Sequence, residues 1–162
     1  MRTLTLLVAA AAAFLLAVPA AAAVADTPDP YIDALAPDND IPVTDPQNLF
    51  GPPDDLFALV SGRQFRYLVL DLGAGEEGVG NLEVRYKLRP VQWPDPMWVD
   101  FLDRNGRYLG QGMLGLEPGG LNPTPRVATV RNPSTRPYRY VRISTGVQDV
   151  WFDSMRAAAL AP

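Results

Sequence analysis

Residues 81–89 constrain the fold more than any other segment, because their apolar and polar side chains alternate without interruption. The apolar positions are Leu82, Val84, Tyr86 and Leu88, and the polar positions are Asn81, Glu83, Arg85, Lys87 and Arg89. Successive side chains of a strand point to opposite faces, so each set occupies one face. The pattern predicts a strand that is buried on one side and solvated on the other, as in an antiparallel sheet.

Several other segments have the composition of strands. Residues 65–72 are apolar on both faces, which predicts a central strand, and residues 97–102 lead into Asn105-Gly106, a strong signal for a hairpin turn. The return strand is predicted at residues 107–109, followed by a Gly/Pro-rich connection at 110–125. Further strands are predicted at residues 56–60, 127–131, 138–144 and 150–155. About seven or eight short strands predict an all-β protein, an antiparallel β-sandwich or jelly roll.

Residues 1–25 have the pattern of an export signal. Arg2 adds a positive charge, residues 4–18 are almost entirely apolar, and residues 21–25 have small side chains. This order predicts a signal peptide at residues 1–25 that is cleaved near Ala25, and the apolar run is too short for a membrane span. We expect a secreted protein, extracellular or periplasmic, with no membrane span in the mature chain.

Proline is frequent in the segment that follows. Residues 28, 30, 37, 42 and 46 are all proline, and this density excludes a helix and most strand hydrogen bonds. We therefore predict an extended Pro/Asp-rich arm at residues 26–47, a β-sandwich at residues 48–157 and a C-terminal tail at residues 158–162.

Two missing residue types restrict the chemistry of the chain. The sequence contains no cysteine and no histidine, so it has no disulfide and lacks the commonest general base and metal ligand. Glu83, Asp100 and Asp103 could pair as glycosidase carboxylates, but acids on outer strand faces are ordinary solubilising residues. We predict no catalytic residues. The net charge of −4 argues against nucleic acid as a partner, because phosphate backbones require clustered positive charge.

Six short segments carry a family resemblance. They are PQNLFGPPD (residues 46–54), LVLDL (68–72), GVGNLEV (78–84), FLDRNG (101–106), YRYVRI (138–143) and VWFDSMR (150–156). In this order they resemble the loops and strands of bacterial secreted members of the galactose-binding-like (discoidin-type) jelly-roll domains. The sequence departs from the family pattern at Asn81 and Trp151, where the family has aspartate. The resemblance implies a β-sandwich used for adhesion or glycan binding, often with a structural calcium ion.

Four aspartates are candidate ligands for such a calcium ion. Asp54 and Asp55 lie in a loop restricted by prolines, and Asp149 and Asp153 lie near the last predicted strand. Ca²⁺ takes roughly six to eight oxygen ligands, and these carboxylates could share one ion if the fold brings the first and last strands together. The alternative is that Asp54 and Asp55 cap a turn and that the other two are solvated.

Trp93 is the leading candidate for a ligand contact. It lies in a loop stiffened by three prolines, and it could stack on a sugar ring while Asp95 and Arg89 bind hydroxyl groups. The alternative is that Trp93 folds back and covers one end of the core.

Tyr138 and Tyr140 are a second candidate pair. Their spacing places both rings on one face of the strand predicted at residues 138–144. They could contact a ligand if that face is exposed, or cover an edge strand. Trp98 and Trp151 lie within predicted strands, and we expect both to pack against other residues.

These features predict a secreted, non-catalytic binding module for a glycan or another cell-surface ligand. The alternative is a structural or accessory subunit of an exported protein assembly. Such a subunit would dock through the Pro-rich arm and an apolar edge.

Overall fold

The computed structural model of this chain describes residues 27–62, 65–90 and 92–162, and the predicted signal peptide lies outside these ranges. Within them, ten strands form two five-stranded sheets in which neighbouring strands run antiparallel. The predicted antiparallel β-sandwich is therefore confirmed. None of the helices in the same ranges has the length and apolarity that crossing a membrane requires.

The strands divide into a front sheet and a back sheet. In chain order they are β1 (Ala34–Leu35), β2 (Val43–Thr44), β3 (Ala58–Val60), β4 (Tyr67–Asp71), β5 (Gly78–Lys87), β6 (Met97–Leu102), β7 (Tyr108–Leu114), β8 (Arg126–Val130), β9 (Tyr140–Ser144) and β10 (Val150–Leu160). A short 3-10 helix, Pro46–Leu49, links β2 to β3. The front sheet has the order β1-β4-β9-β6-β7, and the back sheet has the order β2-β3-β10-β5-β8.

Strand β5 shows how the alternation builds the core between the sheets. Leu82, Val84 and Tyr86 are buried, whereas Glu83 and Arg85 lie on the outer side. Burial of a side chain such as valine or leucine contributes about 1.5–3 kcal/mol relative to leaving it exposed. A slip of one residue would expose this whole set, so the buried face determines the register of the strand.

The hairpin turn between β6 and β7 is where the sequence predicted it. Gly106 has a φ of +74°, a conformation that glycine adopts readily. The Asp103 carboxylate accepts hydrogen bonds from the backbone N–H groups of Arg107 at 3.0 Å and Asn105 at 2.8 Å, and these bonds lower its pKa. The return strand is longer than predicted, because β7 continues to Leu114, within the segment predicted as a connection.

The described part of the predicted arm belongs to the sandwich. β1 pairs with β4, β2 pairs with β3, and Ile32 and Ile41 are buried in the core. Proline lacks an N–H donor, but the residues between the prolines keep theirs, and the Ala36 N–H donates to the Val69 carbonyl at 2.9 Å. At the other end β10 continues to Leu160, so the sandwich extends beyond residues 48–157 in both directions.

Candidate functional site

The outward-facing residues of β4, β9, β6 and β7 form rows across the front sheet, and we call this surface the front face. In the first row the strand register places Tyr67 opposite Ser144 and Trp98 opposite Met113. The Trp98 backbone N–H donates to Ser144 Oγ at 2.9 Å, which joins the two pairs. Trp98 is 52% exposed and Tyr67 is 38% exposed. The first row therefore presents aromatic rings to solvent.

A polar second row lies two residues away along β6 and β9. Asp100 is opposite both Arg142 and Gln111. Its Oδ2 accepts hydrogen bonds from Arg142 Nε at 3.0 Å and Nη2 at 2.7 Å, and its Oδ1 accepts from Gln111 Nε2 at 2.8 Å. The Arg142 guanidinium carbon also lies 5.1 Å from the centroid of the Tyr67 ring, within the range of a cation–π contact. These contacts hold the polar groups beside the aromatic row.

The third row combines an aromatic ring with a groove. Tyr140 is opposite Leu102, and a groove of about 430 Å³ opens beside them. Its walls include Asp38, Arg104, Asn105 and Arg142. One concave surface thus offers aromatic, apolar and charged groups.

Trp98 faces solvent, so the expectation that it packs against other residues is wrong. Met97, Val99 and Phe101 are buried and contribute to the core, whereas Trp98 shares the outer side of β6 with Asp100. The sequence contained this signal, because residues two apart on a strand lie on the same face. An aspartate two positions after a tryptophan indicates that the tryptophan is also directed outward.

Trp93 is 80% exposed, so it does not cover the core. The loop that carries it is joined to the loop after β9: the Asp95 N–H donates to Gln148 Oε1 at 3.0 Å, and Gln148 Nε2 donates to the Asp95 carbonyl at 2.8 Å. Trp98 and Ser144 of the first row immediately adjoin these two loops. Trp93 therefore lies at the first-row end of the front sheet, and Asp95 contributes its backbone to these two bonds.

Arg89 precedes Trp93 in the loop that follows β5. Its Nη2 lies 2.7 Å from Asp149 Oδ2, and its guanidinium carbon lies 5.4 Å from the ring centroid of Trp151 on β10. Two shallow grooves of about 390 and 320 Å³ share Arg89 and Pro90. The structure thus brings a predicted sugar contact to a predicted calcium ligand, beside Trp151 of the back sheet.

Tyr138 is fully buried, and its prediction as a ligand contact is wrong. Its ring packs edge-on against Phe101 with 4.9 Å between centroids, and burial raises the pKa of its hydroxyl. The chain bends at Arg139, which reverses the alternation and places only Tyr140 on the outer side. β9 lies between β4 and β6, so the two tyrosines do not cover an edge strand either.

Three of the four predicted calcium ligands come together at the end of the back sheet. Asp153 is buried and accepts hydrogen bonds from the backbone N–H groups of Asp54 at 3.2 Å and Asp55 at 3.4 Å. Arg85 Nε lies 2.8 Å from Asp153 Oδ2, and Arg85 Nη2 pairs with the Asp55 carboxylate. Burial raises the pKa of Asp153, and the two amides and Arg85 oppose that shift. The Asp54 carboxylate accepts from the Leu56 N–H at 2.9 Å, as expected for a turn cap.

This cluster does not fit a calcium ion. Arg85 already brings a positive charge to two of the carboxylates, and the N–H groups directed at Asp153 would repel a cation. Asp149 pairs with Arg89 elsewhere. Across residues 27–62, 65–90 and 92–162, no group of three or more histidine, cysteine or acidic side chains is arranged to hold a metal ion.

The outer surface of the back sheet, which we call the back face, is dominated by ion pairs. Arg156 donates through Nε to Glu83 Oε1 at 3.0 Å and through Nη2 to Glu83 Oε2 at 3.2 Å. Arg85 lies beside this pair in a groove of about 240 Å³. Glu83 and Asp100 therefore lie on opposite sides of the sandwich, which separates two carboxylates considered as a glycosidase pair.

Comparison with known proteins gives a likeness in fold. No protein-family model and no curated protein matches the sequence. Among solved structures, one mutant of CBM29-2, a family 29 carbohydrate binding module, is 8% identical over 80% of this chain and 91% of its own, with a TM-score of 0.45. A CBM29-2 mutant complexed with mannohexaose is 8% identical over 80% of this chain and 89% of its own, with a TM-score of 0.43. Scores this low carry no functional argument.

Proposed function

We propose that this protein is a non-catalytic glycan-binding module that holds its ligand on the front face. The observation that carries the proposal is the exposed first row of Tyr67 and Trp98 beside the hydrogen-bonded second row of Arg142, Asp100 and Gln111. A pyranose ring has apolar C–H faces that stack on aromatic rings, and hydroxyl groups that need donors and acceptors. Both kinds of partner are adjacent on this surface.

The second row suits hydroxyl groups because its side chains are already held in place. Arg142 is bound by Asp100 and is still 37% exposed, so its remaining N–H groups are available to a ligand. Gln111 uses Nε2 for Asp100, which leaves its carbonyl oxygen as an acceptor. Immobilising a long side chain costs about 0.5–1.5 kcal/mol on binding, and this network has already met that cost in the free protein.

The proposed ligand class agrees with that of the CBM29-2 mutant complexed with mannohexaose. The proposal rests on the residues of the front face and not on that likeness. We also propose that the protein is exported, because residues 1–25 have the pattern of a signal peptide. Cell fractionation followed by N-terminal sequencing tests this point, and protein found only in the cytoplasm with residues 1–25 retained would contradict it.

A second candidate function is an accessory subunit of an exported assembly. It is favoured by large apolar side chains in three loops, since Phe65, Trp93 and Val147 are each more than two-thirds exposed. A subunit would bury such residues against a partner protein. Size-exclusion chromatography with light scattering distinguishes the two candidates, because a binding module remains a monomer and an assembly subunit forms a complex.

A glycan array tests the proposed function. We expect the wild-type protein to bind at least one glycan class, and Trp98→Ala to abolish that binding. Val127→Ala is the matched control, because Val127 is an exposed apolar residue on the outer side of β8 in the back sheet. No binding to any glycan, or equal loss in the two variants, would overturn the proposal.

A further inference from the structure

The three rows of the front face are spread over a distance greater than one sugar. Trp98 of the first row and Leu102 beside Tyr140 in the third row are four residues apart on β6. At about 3.4 Å per residue, the rows span about 14 Å along the strand. A single pyranose ring cannot contact both ends of this surface at once.

The chemistry of the face changes along the same direction. It begins at the exposed rings of Trp98 and Tyr67, continues over the polar pair of Arg142 and Asp100, and ends in the groove beside Tyr140. A chain of sugars running parallel to β6 and β9 would meet a stacking ring, a set of hydrogen-bonding groups and a second aromatic ring in turn. This order matches successive units of an extended oligosaccharide.

The charges of the third-row groove indicate the charge of the ligand. Arg104 and Arg142 line the groove, and Asp38 lines it as well. Asp100, next to the groove, accepts hydrogen bonds from Arg142. With Asp100 included, these four groups carry no net charge, so they do not favour a uronic acid or a phosphorylated sugar. An uncharged sugar is the better match.

On the basis of the proposed glycan-binding function, we infer that the ligand is an uncharged, linear oligosaccharide of at least three sugars that lies along β6 and β9. Trp93 adds an outer contact beyond the first row, because its loop directly precedes β6 and is joined to residue 148. The binding site therefore contacts several successive sugars rather than a single one.

Isothermal titration calorimetry with oligosaccharides of two, three and six sugars tests the inference. The probes are neutral linear series of glucose, mannose and xylose, with galacturonate as the charged series. We expect affinity for at least one neutral series to rise at least about tenfold from the disaccharide to the hexasaccharide. Trp93→Ala should weaken binding of the hexasaccharide and leave the trisaccharide unchanged, and Val127→Ala should change neither.

Two results separate failure of the inference from failure of the proposed function. Equal affinity for the disaccharide and the hexasaccharide, or tighter binding of galacturonate than of every neutral series, would overturn the inference while glycan binding stands. No binding to these probes and none on the glycan array would overturn both.

Discussion

The front and back faces of the sandwich arise from the same alternation of residues, yet they expose different chemistry. On the back face Arg156 pairs with Glu83, and Arg85 pairs with Asp153. On the front face Trp98 lies half exposed beside a hydrogen-bonded polar row. Charged groups are paired on both faces, and the front face also keeps a tryptophan ring half exposed beside its polar row.

This difference supports the front face as the proposed binding surface. Exposed ion pairs contribute only about 0–1 kcal/mol to stability, and such pairs occur on both faces, so the exposed aromatic rings of the first row make the difference. A half-exposed tryptophan gains only part of the free energy that full burial would provide in the folded protein. Contact with the proposed ligand would supply the remainder, which is why we propose the front face as the binding surface.

The largest expected effect on stability comes from a charge placed on the inner side of β5, compared with one on its outer side. Val84→Asp places a charge among buried side chains, where an isolated charge is very costly, and we expect loss of folding. Glu83→Lys changes only the exposed ion pair with Arg156 and should shift stability by less than about 1 kcal/mol. Circular dichroism melting curves measure both variants, and equal melting temperatures would contradict the strand assignment.

The buried carboxylate under the back face should give the next largest effect. Asp153→Ala removes the acceptor of two backbone N–H groups and the partner of Arg85. Loss of such partners costs about 1–3 kcal/mol, measurable by urea denaturation. Asp149→Ala is the control, because its partner Arg89 is 60% exposed, and it should cost much less. If Asp153→Ala were no more destabilised than this control, the cluster would have no structural role.

Adding calcium should change the stability less than Val84→Asp or Asp153→Ala does. An ion that binds only the folded state adds about 2.7 kcal/mol at one hundred times its dissociation constant. Because Arg85 pairs with both Asp55 and Asp153 and two backbone N–H groups are directed at Asp153, we expect the same melting temperature in millimolar calcium and in chelator. A rise with calcium that Asp153→Ala abolishes would restore the metal site that the family resemblance implied.

Trp93→Ala should have the smallest effect on stability among the substitutions considered. The ring is 80% exposed, so its removal should change the free energy of unfolding by less than about 0.5 kcal/mol. A tryptophan that covers the core would cost about 3 kcal/mol or more. Denaturant titration distinguishes these values, and the larger one would remove Trp93 from the surface available to a ligand.

The sequence predicted best where the chain is regular. The alternation from Leu82 to Leu88 depends only on strand periodicity, and the structure follows it through β5. The same rule applied to Tyr138 and Tyr140 failed, because the bend at Arg139 lies between them. A local irregularity of this kind depends on hydrogen bonds to neighbouring strands, such as that from Arg139 N–H to the Leu102 carbonyl.

The candidate site required information that only pairing of distant strands provides. Trp98 and Asp100 could have been placed on one face from their spacing alone. Their neighbours Arg142 and Gln111 come from β9 and β7. The register in which these strands pair with β6 cannot be predicted from the sequence pattern of any one strand. Likewise, three of the four acids predicted to share calcium lie together, but Arg85 of β5 pairs with two of them.

The three tryptophans offer the most direct test of the front face as the binding surface. Each indole N–H gives one resonance in a nitrogen–proton NMR spectrum. Trp93 lies in the loop before β6, Trp98 lies on the front face and Trp151 lies on β10 of the back sheet. We predict that titration with a neutral hexasaccharide bound by the protein shifts the Trp98 signal most, shifts Trp93 less and leaves Trp151 unchanged. A shift confined to Trp151 would place the ligand on the back sheet and contradict the account.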